Sequence, residues 1–302
     1  MRKTNEIPPA AGRLLPILWI VLLACLACGS PQQESSGDAS QDAPPRRIVS
    51  LTPSITEILF ALGLGERIVG VTQFCDWPAE AAAKPQVGGY SNPSIESVLA
   101  QRPDLVLVSP NTGNREAALA IERAGVRLEV IEGDSLEETY LAVRQVADAA
   151  GVPEEGQRLA AEIRARIDEA GRRVAGREPV PALFSVQLEP MIAAGSDTLI
   201  SELLEAAGGR NVVQAEGYPR LGIETVLQSG PAVVFQTRMG MEAEEERALT
   251  DAFWQRWPAL PAVRDGRVAL IDASIATRPG PRIADAVDEL ARRLHPEAFE
   301  TP

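Results

Sequence analysis

Apolar residues along this chain follow two rhythms that take turns. RIVSL at 47–51 is a short β-branched run of the kind a buried strand requires. Behind it, Ser54-Ile55-Thr56-Glu57 has the form of a capping box. Ile55, Ile58, Leu59 and Leu62 then share one helical face until Gly63 and Gly65 end it. The alternation continues through a strand at 68–71, a helix after Asn92-Pro93, a strand at 105–108 and a helix at 115–124 closed by Gly125. A strand at 126–131 and a helix at 135–150 complete the series. Strands separated by helices predict a parallel sheet covered on both faces, so residues 46–150 read as one α/β lobe.

Residues 153–175 are different in scale. Leu159, Ile163, Ile167, Ala170 and Val174 keep helical spacing, Pro153 suits a first turn, and Glu154, Glu155, Arg172 and Arg173 complement the helix dipole at its two ends. At 1.5 Å per residue such a helix runs about 30–35 Å, enough to pass from one lobe to another. A second α/β series follows, with strands at 182–186, 211–213, 232–236 and 268–271. Its helices are at 198–207, 223–228, 242–255 and 283–294. The predicted organisation is therefore a lobe at 46–150, an interlobe helix at 151–178 and a second lobe at 179–302. The lobes share a local pattern, since NPSIESVL at 92–99 before RPDLVLV parallels LGIETVL at 221–227 before GPAVVF. Each is a helix with an early Glu, Glu96 or Glu224, leading into a Pro-headed strand.

The N-terminus breaks both rhythms. Arg2, Lys3 and Arg13 precede an apolar run at 14–26, which is short of the roughly 20 residues that span a bilayer. It reads as a signal peptide over residues 1–24. Small and aliphatic residues precede Cys25 and again Cys28, which resembles a lipobox, and either cysteine can be the lipidated one; an uncleaved anchor helix is the alternative. Both readings place the rest outside the cytoplasm. GSPQQESSGDASQDAPP at 29–45 lacks any large apolar residue and reads as part of a flexible tether over 25–45.

Among 302 residues, 45% are apolar and 24% charged, as in an ordinary globular protein. The net charge of −13 argues against nucleic acid, which is bound through Lys and Arg clusters. Only Cys75 lies in the folded part, so no disulfide framework is expected, and it reads as a structural thiol. The one histidine, His295, sits at the end of the last helix and is expected to be solvated there. With no cysteine or carboxylate cluster at metal spacing around it, a His-based zinc site or Ser-His hydrolysis is hard to build. Gly63, Gly65 and Gly70 fail the dinucleotide fingerprint in spacing and in order of elements. No catalytic residue, resident cofactor or metal is expected.

RIVSLTPSITEILFALGLGERIVGVTQFCDWP (47–78), VGGYSNPSIESVLAQRPDLVLVS (87–109) and RPGPRIADAVDEL (278–290) resemble substrate-binding proteins of ABC importers for cobalamin, iron-siderophores and haem. The cobalamin-binding members look most similar, through TQFCDWP and GGYSNP. The resemblance implies two Rossmann-like α/β lobes with central parallel sheets joined by one long rigid helix. It also implies a non-enzymatic monomer that delivers a large chelate to a permease dimer with its ATPase subunits. Carried over residue by residue, Phe74 and Tyr90 fall on corrin-covering aromatic positions, with Trp77 beside them. Asn92 and Asn111 are candidate polar contacts, and Arg238 and Met239 follow a second-lobe strand toward the cleft. Glu96 and Glu224 would dock onto the permease. Ser109-Pro110-Asn111 stands where the family can carry another cleft Trp, and DASIATR at 272–278 lacks an aromatic and acidic pair seen in some members. Cobalamin or a related corrinoid is the expected ligand, with an iron-siderophore or haem as the alternative.

Overall fold

The computed structural model describes residues 43–110, 113–238 and 243–300. The signal peptide, Cys25 and Cys28, the tether up to residue 42, Asn111 and Met239 lie outside the described residues.

The first lobe runs β1 (Ile48–Ser50), α1 (Pro53–Ala61), β2 (Ile68–Val71), α2 (Ala79–Ala82), α3 (Ile95–Ala100), β3 (Leu105–Val108), α4 (Arg115–Arg123), β4 (Arg127–Val130) and α5 (Leu136–Ala150). Its sheet has the order β2-β1-β3-β4, with every pairing parallel. The period of two along each strand divides its side chains between two layers. Ile48, Leu105 and Leu107 join the core on one face, whereas Val49, Leu51, Val106 and Val108 pack with Val98 and Ile121 on the other.

The long helix α6 (Pro153–Val174) follows. Beyond it come β5 (Val180–Leu188), β6 (Met191–Ala193), α7 (Leu199–Ala206), β7 (Gly209–Asn211), α8 (Ile223–Ser229), β8 (Val233–Arg238), α9 (Ala243–Trp254), α10 (Pro261–Arg264), β9 (Val268–Asp272), α11 (Ala273–Ala276) and α12 (Ile283–Leu294). In this sheet β5 is followed by β8 and β9, and β6 and β7 pair with β5. The sheet is parallel except for β6, a short antiparallel return that the sequence pattern does not reveal. The strand expected at 211–213 lies slightly earlier, as β7.

Packing corrects or sharpens several local expectations. The capping box at Ser54 does not form, because Pro53 opens α1 and makes Thr52 the cap residue. The Thr52 hydroxyl accepts instead from the Ser109 amide at 2.9 Å, and Glu57 turns away from the helix start. His295 is buried, with Nε2 at 2.9 Å from the Gly208 carbonyl, so it fastens the end of α12 and is not a solvated helix-end side chain. Cys75 is buried as expected, and its Sγ lies 3.1 Å from Thr56 Oγ1 and 3.2 Å from Thr72 Oγ1.

One apolar core runs through both lobes. It includes Leu107 and Val143 from the first, Ile163 and Ile167 from α6, and Phe184, Phe235, Val287 and Leu290 from the second. The apolar stripe of α6 packs on α5 and on α12, so this helix belongs to both lobes at once. Close approach to α5 occurs at Gly156, where an added Cβ would collide with the Ala147 Cβ. Gly156→Ala gains helix propensity of up to about 1 kcal/mol, yet the overpacking costs about 1–3 kcal/mol. A net loss of stability is expected, read as a lowered denaturation midpoint with unchanged slope.

Candidate functional site

Parallel strands bring their C-terminal ends to one edge of a sheet, and the loops that leave this edge form the natural crevice of an α/β lobe. In the first lobe the connection after β2 and the loop after β3 are each braced by hydrogen bonds. The segment after β2 is held to the 86–94 loop by Val87 N to Val71 O (2.9 Å) and Gln73 N to Gly88 O (3.0 Å). Gly88 adopts φ +114°, and an added Cβ there would press into the Ser94 amide and the Asn92 carbonyl oxygen, so the tight return into α3 requires glycine. Beyond β3, the Asn114 side-chain amide donates to the Ser109 carbonyl at 3.0 Å and ties that loop to the start of α4.

This lacing sets Phe74 and Tyr90 on neighbouring loops. Phe74 is 50% exposed, Tyr90 is half-buried and Asn92 is exposed. Trp77, 51% exposed, lines a groove of about 560 Å³ with Phe60, Lys84 and Arg282. Its ring lies 4.8 Å from the Arg282 guanidinium.

In the second lobe Arg238 closes β8 directly opposite Asp272 at the end of β9, with Nη2 at 3.0 Å from Oδ2. Asp272 also caps α11 by accepting from the Ser274 amide at 2.8 Å. Burial pushes its carboxyl upward, but the hydrogen bonds from Ser274 and Arg238 prevail and hold it below the usual aspartate range. Arg238 therefore stands paired with a carboxylate at this edge.

The two edges face each other. Leu136 N, opening α5 in the first lobe, donates to Glu202 Oε2 in the first turn of α7 at 2.6 Å. Glu57 in α1 meets Arg278 and Arg282 from the approach to α12. Between the edges lies a cavity of about 290 Å³, bordered by Asp134 of the first lobe and by Asp197, Thr198, Tyr218 and Thr277 of the second. Tyr218 is 53% exposed. Partial desolvation and the nearby charges of Asp134 and Asp197 raise its pKa and keep the phenol protonated.

Tyr218 is not among the residues that sequence reasoning singles out, although a signal for it exists. Gly89-Tyr90 stands six residues before Glu96 when counted from the tyrosine, and Gly217-Tyr218 stands likewise before Glu224. Extending the internal repeat toward the N-terminus pairs the two tyrosines. Glu96 and Glu224 are each the second residue of their helices, α3 and α8. Both are exposed, and neither forms an ion pair among the described residues. Among the described residues no group of three or more His, Cys, Asp or Glu is placed to hold a metal ion, and no helix is long and apolar enough to cross a membrane.

Two α/β lobes joined by a single long helix, with a cavity bordered by residues of both, have the architecture of a cleft-type solute-binding protein. The chain belongs to the periplasmic binding protein family, whose model matches residues 48–275. The ABC transporter substrate-binding lipoprotein YvrC of Bacillus subtilis is 30% identical over 275 residues, covering 88% of this chain and 85% of YvrC. The vitamin B12-binding protein of Vibrio cholerae is 30% identical over 256 residues, covering 83% of this chain and 90% of its own. The crystal structure of that organism's BtuF has a TM-score of 0.72 at 29% identity, covering 85% of this chain and 99% of BtuF. The haem-binding protein RhuT from Roseiflexus sp. RS-1 has a TM-score of 0.75 at 31% identity, covering 84% of this chain and 99% of RhuT. This is an extracytoplasmic substrate-binding protein and not an enzyme.

Proposed function

We propose that this protein captures cobalamin or a related corrinoid between its lobes and delivers it to the membrane permease and ATPase subunits of an ABC importer. The observation that carries the reading is the set of half-buried or half-exposed aromatic side chains at the two facing edges: Phe74 and Tyr90 on one lobe, Tyr218 on the other. Flat rings cover a large macrocycle at little entropic cost, and a few polar groups fix its orientation. Asn92 and Arg238 are the described polar candidates, Trp77 flanks them, and Asn111 and Met239 belong to the same assignment. A haem or an iron-siderophore is the second reading, favoured by the likeness to RhuT. Titration of the detergent-purified full chain with cyanocobalamin, hemin and a ferric siderophore separates them, because corrin, porphyrin and ferric catecholate absorb differently. Cyanocobalamin is expected to bind. Phe74→Ala and Tyr90→Ala should each weaken it by about 1–3 kcal/mol, and unchanged affinity in both would remove them from the site.

The protein works as a monomer held to the membrane by acylation of Cys25 or Cys28, with a tether that ends before Pro44 and not at 45 as the composition suggests, because Pro44 packs beside Gly151 and Pro45 is buried. This rests on the lipobox-like run and on the lipoprotein character in the name of YvrC. Mass spectrometry of the protein from its native cells should show a diacylated cysteine at the N-terminus; an unmodified soluble N-terminus overturns the anchor.

Glu96 and Glu224 are the docking carboxylates. Each also complements the dipole of its helix, a local effect of about 0.3–1 kcal/mol, but a dipole role does not require equivalent positions on two lobes. Two matching exposed carboxylates suit a two-fold symmetric permease, where charge complementarity sets register and encounter rate. The double variant Glu96→Ala with Glu224→Ala should retain fold and ligand affinity while losing transport and transporter-stimulated ATP hydrolysis. Normal transport by that variant excludes the docking role.

A further inference from the structure

The loop between β2 and α2 is held by both lobes. Its root belongs to the first: Cys75 Sγ sits between Thr56 and Thr72, and Gln73 N donates to Gly88 O. Its outer half is fastened differently. The Asp76 carboxylate pairs with Arg278, with Nη1 to Oδ1 at 2.6 Å and Nη2 to Oδ2 at 3.3 Å. The Trp77 ring lies on Arg282. Both arginines come from the second lobe.

These guanidinium groups are not free to wander, because Glu57 of α1 holds them. The Glu57 side chain is only 3% exposed. Arg282 grips it in the paired manner of guanidinium and carboxylate, Nε to Oε2 at 2.8 Å and Nη2 to Oε1 at 2.6 Å. Arg278 Nη1 adds a longer contact to Oε1 at 3.3 Å. Arg282 is braced further by Ser274 Oγ at 3.2 Å. A buried carboxylate left without its cation is strongly unfavourable, so this cluster resists any separation of the lobes along this face.

We propose that Glu57, Arg278 and Arg282 form an interlobe latch whose arginines are positioning residues for the loop that carries Phe74, Asp76 and Trp77. The proposal rests on the reading of Phe74 as a ligand contact. Trp77 acts here as the anchor of its loop on the second lobe, and the ligand is met by Phe74 at the first-lobe root. Because Glu57 ties the same arginines to α1, the outer half of the loop is held in the one interlobe geometry that the latch accepts. The loop consequently presents its aromatic surface in a fixed position.

The test uses the detergent-purified full chain. Asp76→Ala and Trp77→Leu remove the two outer fastenings without touching the buried Glu57 pair, and Trp77→Phe keeps a ring over Arg282. In the ligand-free protein, amide hydrogen exchange at residues 73–78 should quicken about two- to fivefold in the first two variants, the size of one exposed cation–π contact, and stay near wild type in Trp77→Phe. Exchange in β1 and β3 should not change. The cyanocobalamin or hemin dissociation constant, whichever probe the wild type binds, should rise by a similar factor in the same two variants and recover in Trp77→Phe. Unchanged exchange in the loop overturns the latch, as does quickened exchange with unaltered affinity. A wild-type protein that binds neither probe sinks the ligand reading alone, and the exchange data then decide the positioning role.

Discussion

The shared apolar face of α6 is the constraint on which the rest of the molecule depends. Each lobe is an open sheet with helices on both sides and could turn freely on a loop. Here the connection is a helix of 22 residues whose stripe of Ala160, Ile163, Ile167, Ala170 and Val174 is buried in a core common to both lobes. Bending it would expose that stripe and break backbone hydrogen bonds together. The relative placement of the two strand edges, and therefore the width of the cleft, follows from packing and not from a hinge.

The polar cluster around Glu57 works in the same direction by other means. Dispersion and burial hold α5, α6 and α12 together without regard to direction, whereas the paired hydrogen bonds of Arg282 on a buried carboxylate accept one geometry. The apolar spine keeps the lobes adjacent, and the cluster selects one orientation at the mouth of the cleft. Asp76 follows the same logic at lower burial. Desolvation raises its pKa, but the hydrogen bond and charge of Arg278 outweigh this and hold it below the usual range.

The proposed binding surface is assembled from short-range devices placed on that frame. Gly88 turns the chain back into α3, Cys75 roots one aromatic loop, and Asn114 ties the next to the end of β3. None of these contacts a ligand in the proposed reading. They fix where Phe74 and Tyr90 stand, as Arg238 and Asp272 fix the opposite edge.

Much of this architecture is legible in the sequence. Helix α6, the alternation of strands and helices, α12 with its bounds, and the family follow from spacing and motif, because burial on one face of a helix or strand writes a period of 3.6 or 2 into the residues themselves. Other features leave no such trace. β6 is too short to show a period, and the role of His295 depends on a Gly208 carbonyl far away in the chain. Local spacing assigns Glu57 to a capping box, yet its partners stand more than two hundred residues away. Periodicity and near-neighbour chemistry are enough to specify the elements, their order and the class of protein, since each of these is settled within a few turns of chain. Which charges meet across the lobes is settled by tertiary packing alone, because those pairings join chain segments whose proximity no local pattern encodes.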